Sequence, residues 1–398
     1  MKLVRWTLTV AGFLAALLPS AAAAQQLDWQ GSIRPRAEAW EEADGETRMF
    51  TGMRTRLSLA RALSADARLY IEVQDARFWG EALRTTEASA DAFDLHQGYF
   101  ELGHRGVSPL WLRVGRQEME LGEGRLVGAP QWTHQGQSFD GVRGAWTAGS
   151  ATVVDFFGIQ TRESESAALV SDAAFFGVWS RTGLGDDRAL ELFVLHDRDE
   201  GTLSTARTTA GSRYEARAGV VSYRLQAAYQ AGEVTALDVG AYMVAARVGA
   251  PVLRGRGEVA VSYELYSGDA DPNEGETAAF SDLYGKNHPF LGAADLFRDV
   301  PGDTNGRGLQ DLAMKLGWTV FGEGRLGLDL HRFLTADDEG LSGGTLADEI
   351  DLSFRWPVMG GVDLLAGGSW VFLAEAGETL GLAAGDLLFG FVQMSAAF

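Results

Sequence analysis

The chain finishes on a strand pattern. Read backwards, Phe398, Ala396, Met394, Val392, Gly390 and Leu388 share one parity, and Ala397, Ser395, Gln393 and Phe391 share the other. A period of two places successive side chains on opposite faces of a strand. The carboxy-terminus is therefore an element of the fold, and its last residue is an aromatic on the apolar face.

The same two faces recur along the chain. Leu27, Trp29, Ile33, Ala37 and Ala39 alternate with Asp28, Gln30, Ser32, Arg34, Arg36 and Glu38. Met49, Met53, Leu57 and Leu59 alternate with Arg54, Arg56 and Ser58, and Ala67, Leu69, Ile71 and Val73 with Arg68, Tyr70, Glu72 and Gln74. Val259, Val261, Tyr263 and Leu265 alternate with Arg256, Glu258, Ser262 and Glu264; Ile350, Leu352, Phe354 and Trp356 with Glu349, Asp351, Ser353 and Arg355. In a soluble sandwich the apolar face would meet a core. Here it recurs throughout and carries Trp29, Trp40, Trp318, Trp356 and Trp370 near its ends, so lipid is the better solvent for it.

About eighteen such segments can be drawn, each near the ~9–11 residues of a tilted spanning strand. They fall at 27–40, 49–60, 65–75, 94–102, 110–119, 138–147, 151–161, 173–182, 188–198, 207–218, 221–231, 235–248, 254–267, 308–320, 324–334, 347–356, 360–372 and 386–398. The division around 205–232 is the least marked. An even count lets the first and last strands pair and leaves no edge in lipid. Long connections at 76–93, 120–137, 162–172, 268–307, 335–346 and 373–385 are all odd-numbered, and short ones, such as 61–64 and 357–359, are even-numbered. That is the alternation of extracellular loops and periplasmic turns. The expected fold is all-β: a single transmembrane antiparallel up-and-down β-barrel over 25–398.

The front end fits an exported chain. Lys2 and Arg5 precede the apolar run Trp6–Leu18, too short to span a bilayer as a helix. Pro19-Ser20 and Ala21–Ala24 then supply a cleavage site, expected after Ala24, which makes 1–24 a signal peptide. No later segment has the length of a membrane helix. The chain has 0 Cys, so no disulfide staples it. The expected location is the outer membrane of a Gram-negative bacterium, in contact with lipid and lipopolysaccharide. The strand ending in Phe398 is the expected handle for the barrel-assembly machinery. With a net charge of −20 and no basic tract, nucleic acid is not a partner.

Two blocks carry unusual residues. The first runs Gly115-Arg116-Gln117, Leu121-Gly122-Glu123-Gly124-Arg125-Leu126-Val127-Gly128, Trp132 and Ser138-Phe139-Asp140-Gly141-Val142-Arg143. The second runs Ser267-Gly268-Asp269, Asp271-Pro272-Asn273, Leu283-Tyr284-Gly285, Asn287-His288-Pro289-Phe290, Gly292 and Ala294-Asp295-Leu296-Phe297. In order and spacing these resemble the alginate export family of outer-membrane barrels. The resemblance implies passage of an anionic polysaccharide, and carries Arg125 and Arg143 across by motif. Gln137 stands where the family pattern has arginine, and the short turn at 357–359 replaces a long periplasmic plug loop. The chain thus reads as a porin-like relative. The alternative is a diffusive porin taking up small or oligomeric anionic nutrients.

Nearly all cations are arginine; the lysines are Lys2, Lys286 and Lys315. Parity puts Arg34, Arg36, Arg54, Arg56 and Arg68 on the lumen face of three successive strands, and Arg256 and Arg355 on lumen faces farther along. A guanidinium fork grips carboxylates in two contacts, and these residues are the expected substrate path. Arginine–acid pairs that brace neighbouring strands are the competing reading of each. Segment 268–307 is expected to cap the mouth or fold inward. Asp269, Asp271 and Asn273 offer oxygen ligands to calcium, although Glu274 breaks the EF-hand pattern; an Asx-type turn explains the same spacing. No histidine sits in a nucleophile motif, so no catalysis is expected.

Overall fold

The structure, a computed structural model, describes residues 27–42, 45, 47–80, 93–162, 172–201, 204–271 and 275–398. The expected signal peptide, 1–24, lies outside them, as do Asn273 and Glu274.

Eighteen antiparallel strands form a closed wall. They are β1 (Leu27–Glu42), β2 (Thr47–Ser64), β3 (Ala67–Phe78), β4 (Phe93–Leu102), β5 (Leu110–Gln117), β6 (Phe139–Ala148), β7 (Thr152–Arg162), β8 (Ala173–Gly183) and β9 (Arg188–Asp199). There follow β10 (Thr205–Ala218), β11 (Val221–Val234), β12 (Leu237–Val252), β13 (Gly257–Tyr266), β14 (Leu309–Val320), β15 (Gly324–Thr335), β16 (Thr345–Met359), β17 (Val362–Leu373) and β18 (Leu387–Ala397). Each expected strand is present, and 205–232 resolves into β10 and β11. The two-residue strand Glu276–Thr277 lies parallel to β12 inside a loop.

Each strand pairs with its sequence neighbours, and β1 pairs with β18, with Arg36 opposite Gln393 and Trp40 opposite Phe389. Closure removes the edge that lipid would otherwise leave unsatisfied. Outward parity is apolar and exposed, including Trp29, Ile33, Leu57, Ile71, Trp146, Phe176, Leu192, Val392 and Phe398. The two-residue links at 65–66, 219–220 and 360–361 join strands at the end that holds both termini, the periplasmic end of such barrels. Two boundaries shift from the sequence reading. The turn expected at 357–359 sits at Gly360-Gly361, and Arg256 lies in the turn before β13 rather than within a spanning strand.

The inward faces are less uniformly polar than alternation suggested. Phe157, Ile159, Phe175, Trp179, Phe193 and Leu195 point inward and are buried. They join Met119, Leu121, Leu126 and Val127 from loop 118–138, and Phe280, Leu291, Phe297 and Val300 from loop 267–308, in one apolar cluster. Both loops therefore fold into the lumen and carry an apolar core with them. Within segment 268–307, Phe280, Leu291, Phe297 and Val300 supply its share of that cluster.

Candidate functional site

The arginines of β1 and β2 meet loop 118–138. Register places Arg34 directly opposite Arg54. Like charges there repel, so something must hold them. The Arg34 guanidinium donates to the carbonyls of Gln131 and, at 2.8 Å, Thr133. Arg54 Nη2 donates to Gln131 Oε1 at 3.2 Å. Arg36 donates to Trp132 O at 2.7 Å and pairs with Glu38 at 2.5 Å. Arg56 reaches Glu118 at 2.9 Å and Gln74 at 2.8 Å, and Gln74 donates in turn to Gln135 O at 2.6 Å. All four arginines are buried beneath the loop they hold. Arg68 stays exposed near the periplasmic end, its guanidinium 5.6 Å from the Tyr70 ring.

The Nη groups of Arg34 and Arg54 are thus held by carbonyls and an amide, which leave their charge in place. Arg36 and Arg56 face acids. Glu118 sits between Arg56 and His96, whose Nε2 lies 2.7 Å away. Burial pushes the Glu118 carboxyl up, but His96, Arg56 and Gln131 outweigh it and hold it at about 2.

The two unusual sequence blocks form one object. Tyr284 N donates to Leu126 O (3.1 Å), Gly128 N to Tyr284 O (3.0 Å) and Lys286 N to Gly124 O (2.9 Å). These bonds make a short ladder between the two inner loops, in which the first two flank an isolated parallel bridge between Val127 and Tyr284. Gln137, the departure from the family pattern, donates to Gly128 O at 3.1 Å and Tyr284 O at 3.0 Å, one carbonyl from each loop. Gly122 takes φ +60°, and a Cβ there would meet the Trp179 ring at 2.8 Å, so only glycine fits.

Farther along the ladder, Arg125 is buried in an ion pair with Glu264 of β13, with the Phe290 ring 3.8 Å from its guanidinium and Tyr266 Oη donating to Glu264 at 2.9 Å. Trp132 stacks on His288 at 4.0 Å between centroids. Asp295 accepts from Trp132 Nε1 and lies against His288 Nδ1, both at 2.7 Å. Arg36 covers the Trp132 ring at 3.8 Å. Asn287 donates to Asp282, whose burial, reinforced by Asp299 and opposed by Asn287, raises its carboxyl to about 6.

The remaining motif residues brace the wall. Arg143 pairs with Asp155 at 2.9 Å, Gln117 is buried and bonds to the carbonyls of Gly115 and Gly141, and Phe139 packs on Tyr284. Gly115 and Gly141 face each other across β5 and β6. Arg116 and Asp140 pair at 2.8 Å on the outward face, at the extracellular ends of those strands.

Among the described residues two groups have metal-ligand geometry, and the protein's own cations reach both. Arg56 lies at 2.9 Å from Glu118 and 3.7 Å from Glu72 in the Glu72–His96–Glu118 group. Lys315 lies at 2.8 Å from Asp329 and 3.2 Å from His331 in the Asp329–His331–Asp351 group. Asp269 accepts the N–H of Asp271 at 3.0 Å, an Asx-type turn.

Beside the arginine wall a vestibule of ≈ 890 Å³ opens, lined by Arg36, Arg48, Arg77, Trp132 and Arg298 among others. Sequence parity found the arginines. It could not show that a loop about a hundred positions away would cover them.

A sequence-family profile described as alginate export matches residues 25–386. Among curated proteins, none matches. Solved structures share the fold. Pseudomonas aeruginosa OpdO superposes with TM-score 0.68 at 14% identity, covering 94% of this chain and 97% of that one. Acinetobacter baumannii OccAB4 gives 0.64 at 9% identity, over 95% and 100%. The Pseudomonas aeruginosa outer membrane protein opdK gives 0.63 at 11%, over 93% and 98%.

Proposed function

The chain belongs to the alginate export family, and on that premise we propose that this outer-membrane channel passes an anionic, alginate-like polysaccharide along its arginine wall. The observation that carries the proposal is the way Arg34 and Arg54 are held. Neutral acceptors fix both guanidiniums, so the positive charge persists beside the inner loop. Alginate bears a carboxylate on every sugar. A channel for it needs cations on a rigid support, and enough acid to keep any one stop weak. Glu38, Glu72 and Glu118 supply that acid next to Arg36 and Arg56.

The test is the reversal potential in planar bilayers under a salt gradient. The wild type should prefer anions, and R34Q/R54Q should lose most of that preference. A cation-selective wild type, or selectivity untouched by the pair, overturns the proposal.

The second reading, diffusive uptake of small anions, is favoured by the two-residue turn at Gly360-Gly361, where a periplasmic plug loop would otherwise sit. Liposome-flux assays separate the two. Entry of monomeric uronate with exclusion of longer chains supports uptake; passage of the polymer supports export.

A further inference from the structure

Lumen arginines in this barrel mostly face acids. Arg113 pairs with Glu101 at 2.6 Å, Arg143 with Asp155 at 2.9 Å, Arg207 with Asp197 at 2.8 Å and Arg213 with Glu191 at 2.6 Å. Such pairs brace adjacent strands and need no solute.

Four arginines at the periplasmic mouth break the pattern. Arg217 is the last residue but one of β10, beside the 219–220 link, Arg256 sits in the turn before β13, Arg325 is the second residue of β15, and Arg355 lies on β16 shortly before Gly360. All four are exposed. Among the described residues none has a carboxylate within ion-pair distance, whereas their neighbours Arg247 and Lys315 pair with Glu258 at 2.6 Å and Asp329 at 2.8 Å. Register sets Arg325 directly opposite Arg355 on the lumen face. Like charges in that position destabilise a sheet, so bracing does not explain them.

The space around them is shaped. One cavity of ≈ 500 Å³ is lined by Arg217, Arg256 and Arg325, and also by Glu258, which Arg247 pairs with. A second, of ≈ 360 Å³, is lined by Arg325 and Arg355 together with the Arg247–Glu258 and Lys315–Asp329 pairs. Arg325 borders both, so the two cavities offer consecutive positions to an anion with repeated charges. Each guanidinium keeps its fork free for bidentate contact with a carboxylate.

We propose that Arg217, Arg256, Arg325 and Arg355 form a capture site at the periplasmic mouth for the chain of a polyuronate. It receives successive carboxylates before they reach the inner-loop region. This deepens the transport reading above and rests on it: it assigns the solute's first contact to the periplasmic side.

The experiment is sided block of single channels by oligomannuronate, with uncharged malto-oligosaccharide of equal length and monomeric mannuronate as controls. Insertion direction is read from a protease site placed in the 360–361 turn. From the periplasmic side the wild type should be blocked at a concentration lower by about tenfold or more than from the extracellular side. R325Q/R355Q should abolish that difference and leave extracellular-side block unchanged, and R325K/R355K should restore part of it. Heat-modifiable migration and a wild-type frequency of insertion into bilayers establish that the variants are folded. Equal block from both sides, absence of block, sidedness that persists in R325Q/R355Q, or equal block by malto-oligosaccharide overturns the capture site. Monomer blocking as well as oligomer overturns the assignment to a repeated anion. The reversal-potential measurement fails or succeeds independently. A channel without anion preference that keeps Arg325-dependent sidedness would sink the selective path along Arg34 and Arg54 and leave the capture site standing.

Discussion

The ring of Phe398 lies in the space that a side chain on Gly31 would need, and the two backbones exchange hydrogen bonds of 2.8 and 3.0 Å. The last residue thus seals the seam between β18 and β1, and the Trp29 ring meets it edge-on at 6.1 Å. Glycine at position 31 is a consequence of closure.

Gly31→Leu should open that seam. The added side chain must displace the Phe398 ring, an overpacking cost of about 1–3 kcal/mol. The expected outcome is a lower temperature for loss of heat-modifiable migration, with Gly317→Leu as a control that meets nothing within 4 Å and has no positive φ. Equal melting of wild type and Gly31→Leu contradicts this.

Arg125 and Glu264 make a buried pair, so removing one partner strands the other. Arg125→Leu should cost about 3–5 kcal/mol, and Arg125→Leu with Glu264→Leu should cost much less. Because the pair joins an inner loop to β13, the loss should appear first as protease cleavage within 118–138 or 267–308, with the wall intact. Simultaneous loss of wall and loops would show that the pair supports the barrel itself.

Asp295 ties the two inner loops together through Trp132 and His288. Asp295→Ala should uncouple them, and the expected signature is more frequent conductance fluctuation. Trp132→Phe removes the indole N–H but keeps a ring for His288 and Arg36, so its effect should be smaller. Quiet channels in both variants would show that the ladder at Leu126 and Tyr284 suffices.

The inner loops should respond to pH in opposite senses. Glu118 is held at about 2, below its ordinary 4.5, so its contribution to loop 118–138 is complete above pH 4.5 and is lost as pH falls toward 2. Asp282 is raised from 3.8 to about 6, so its contribution to loop 267–308 is complete below pH 3.8 and is lost as pH rises through 6. Hydrogen exchange, corrected for its intrinsic pH dependence, should show these two windows. Glu118→Gln and Asp282→Asn should each erase one of them. A variant that keeps its wild-type profile would assign the window to another group.

Much of this was legible in single segments. Alternation placed all eighteen strands within a few residues, because whether a side chain faces lipid or the lumen is decided locally by parity. Parity also set Arg34, Arg54 and Arg355 on the lumen face. Arg256 was placed in a strand because its parity agrees with Glu258, but Leu253–Gly255 makes a turn of helix that ends the pattern first. The aromatic inward faces of β7, β8 and β9 gave no local warning. Their solvent is another part of the chain, and alternation cannot report which one.

The sequence by itself determined the barrel, its closure at Phe398 and which side chains face its lumen, since each strand carries its own two-solvent pattern. Only the tertiary structure decided what each arginine does. Arg34 and Arg54 anchor a loop 77–99 positions away, whereas Arg325 and Arg355 face each other with no carboxylate at ion-pair distance among the described residues. A guanidinium's role depends on which acceptor lies within about 3 Å, and that is settled when the wall closes and the loops fold in.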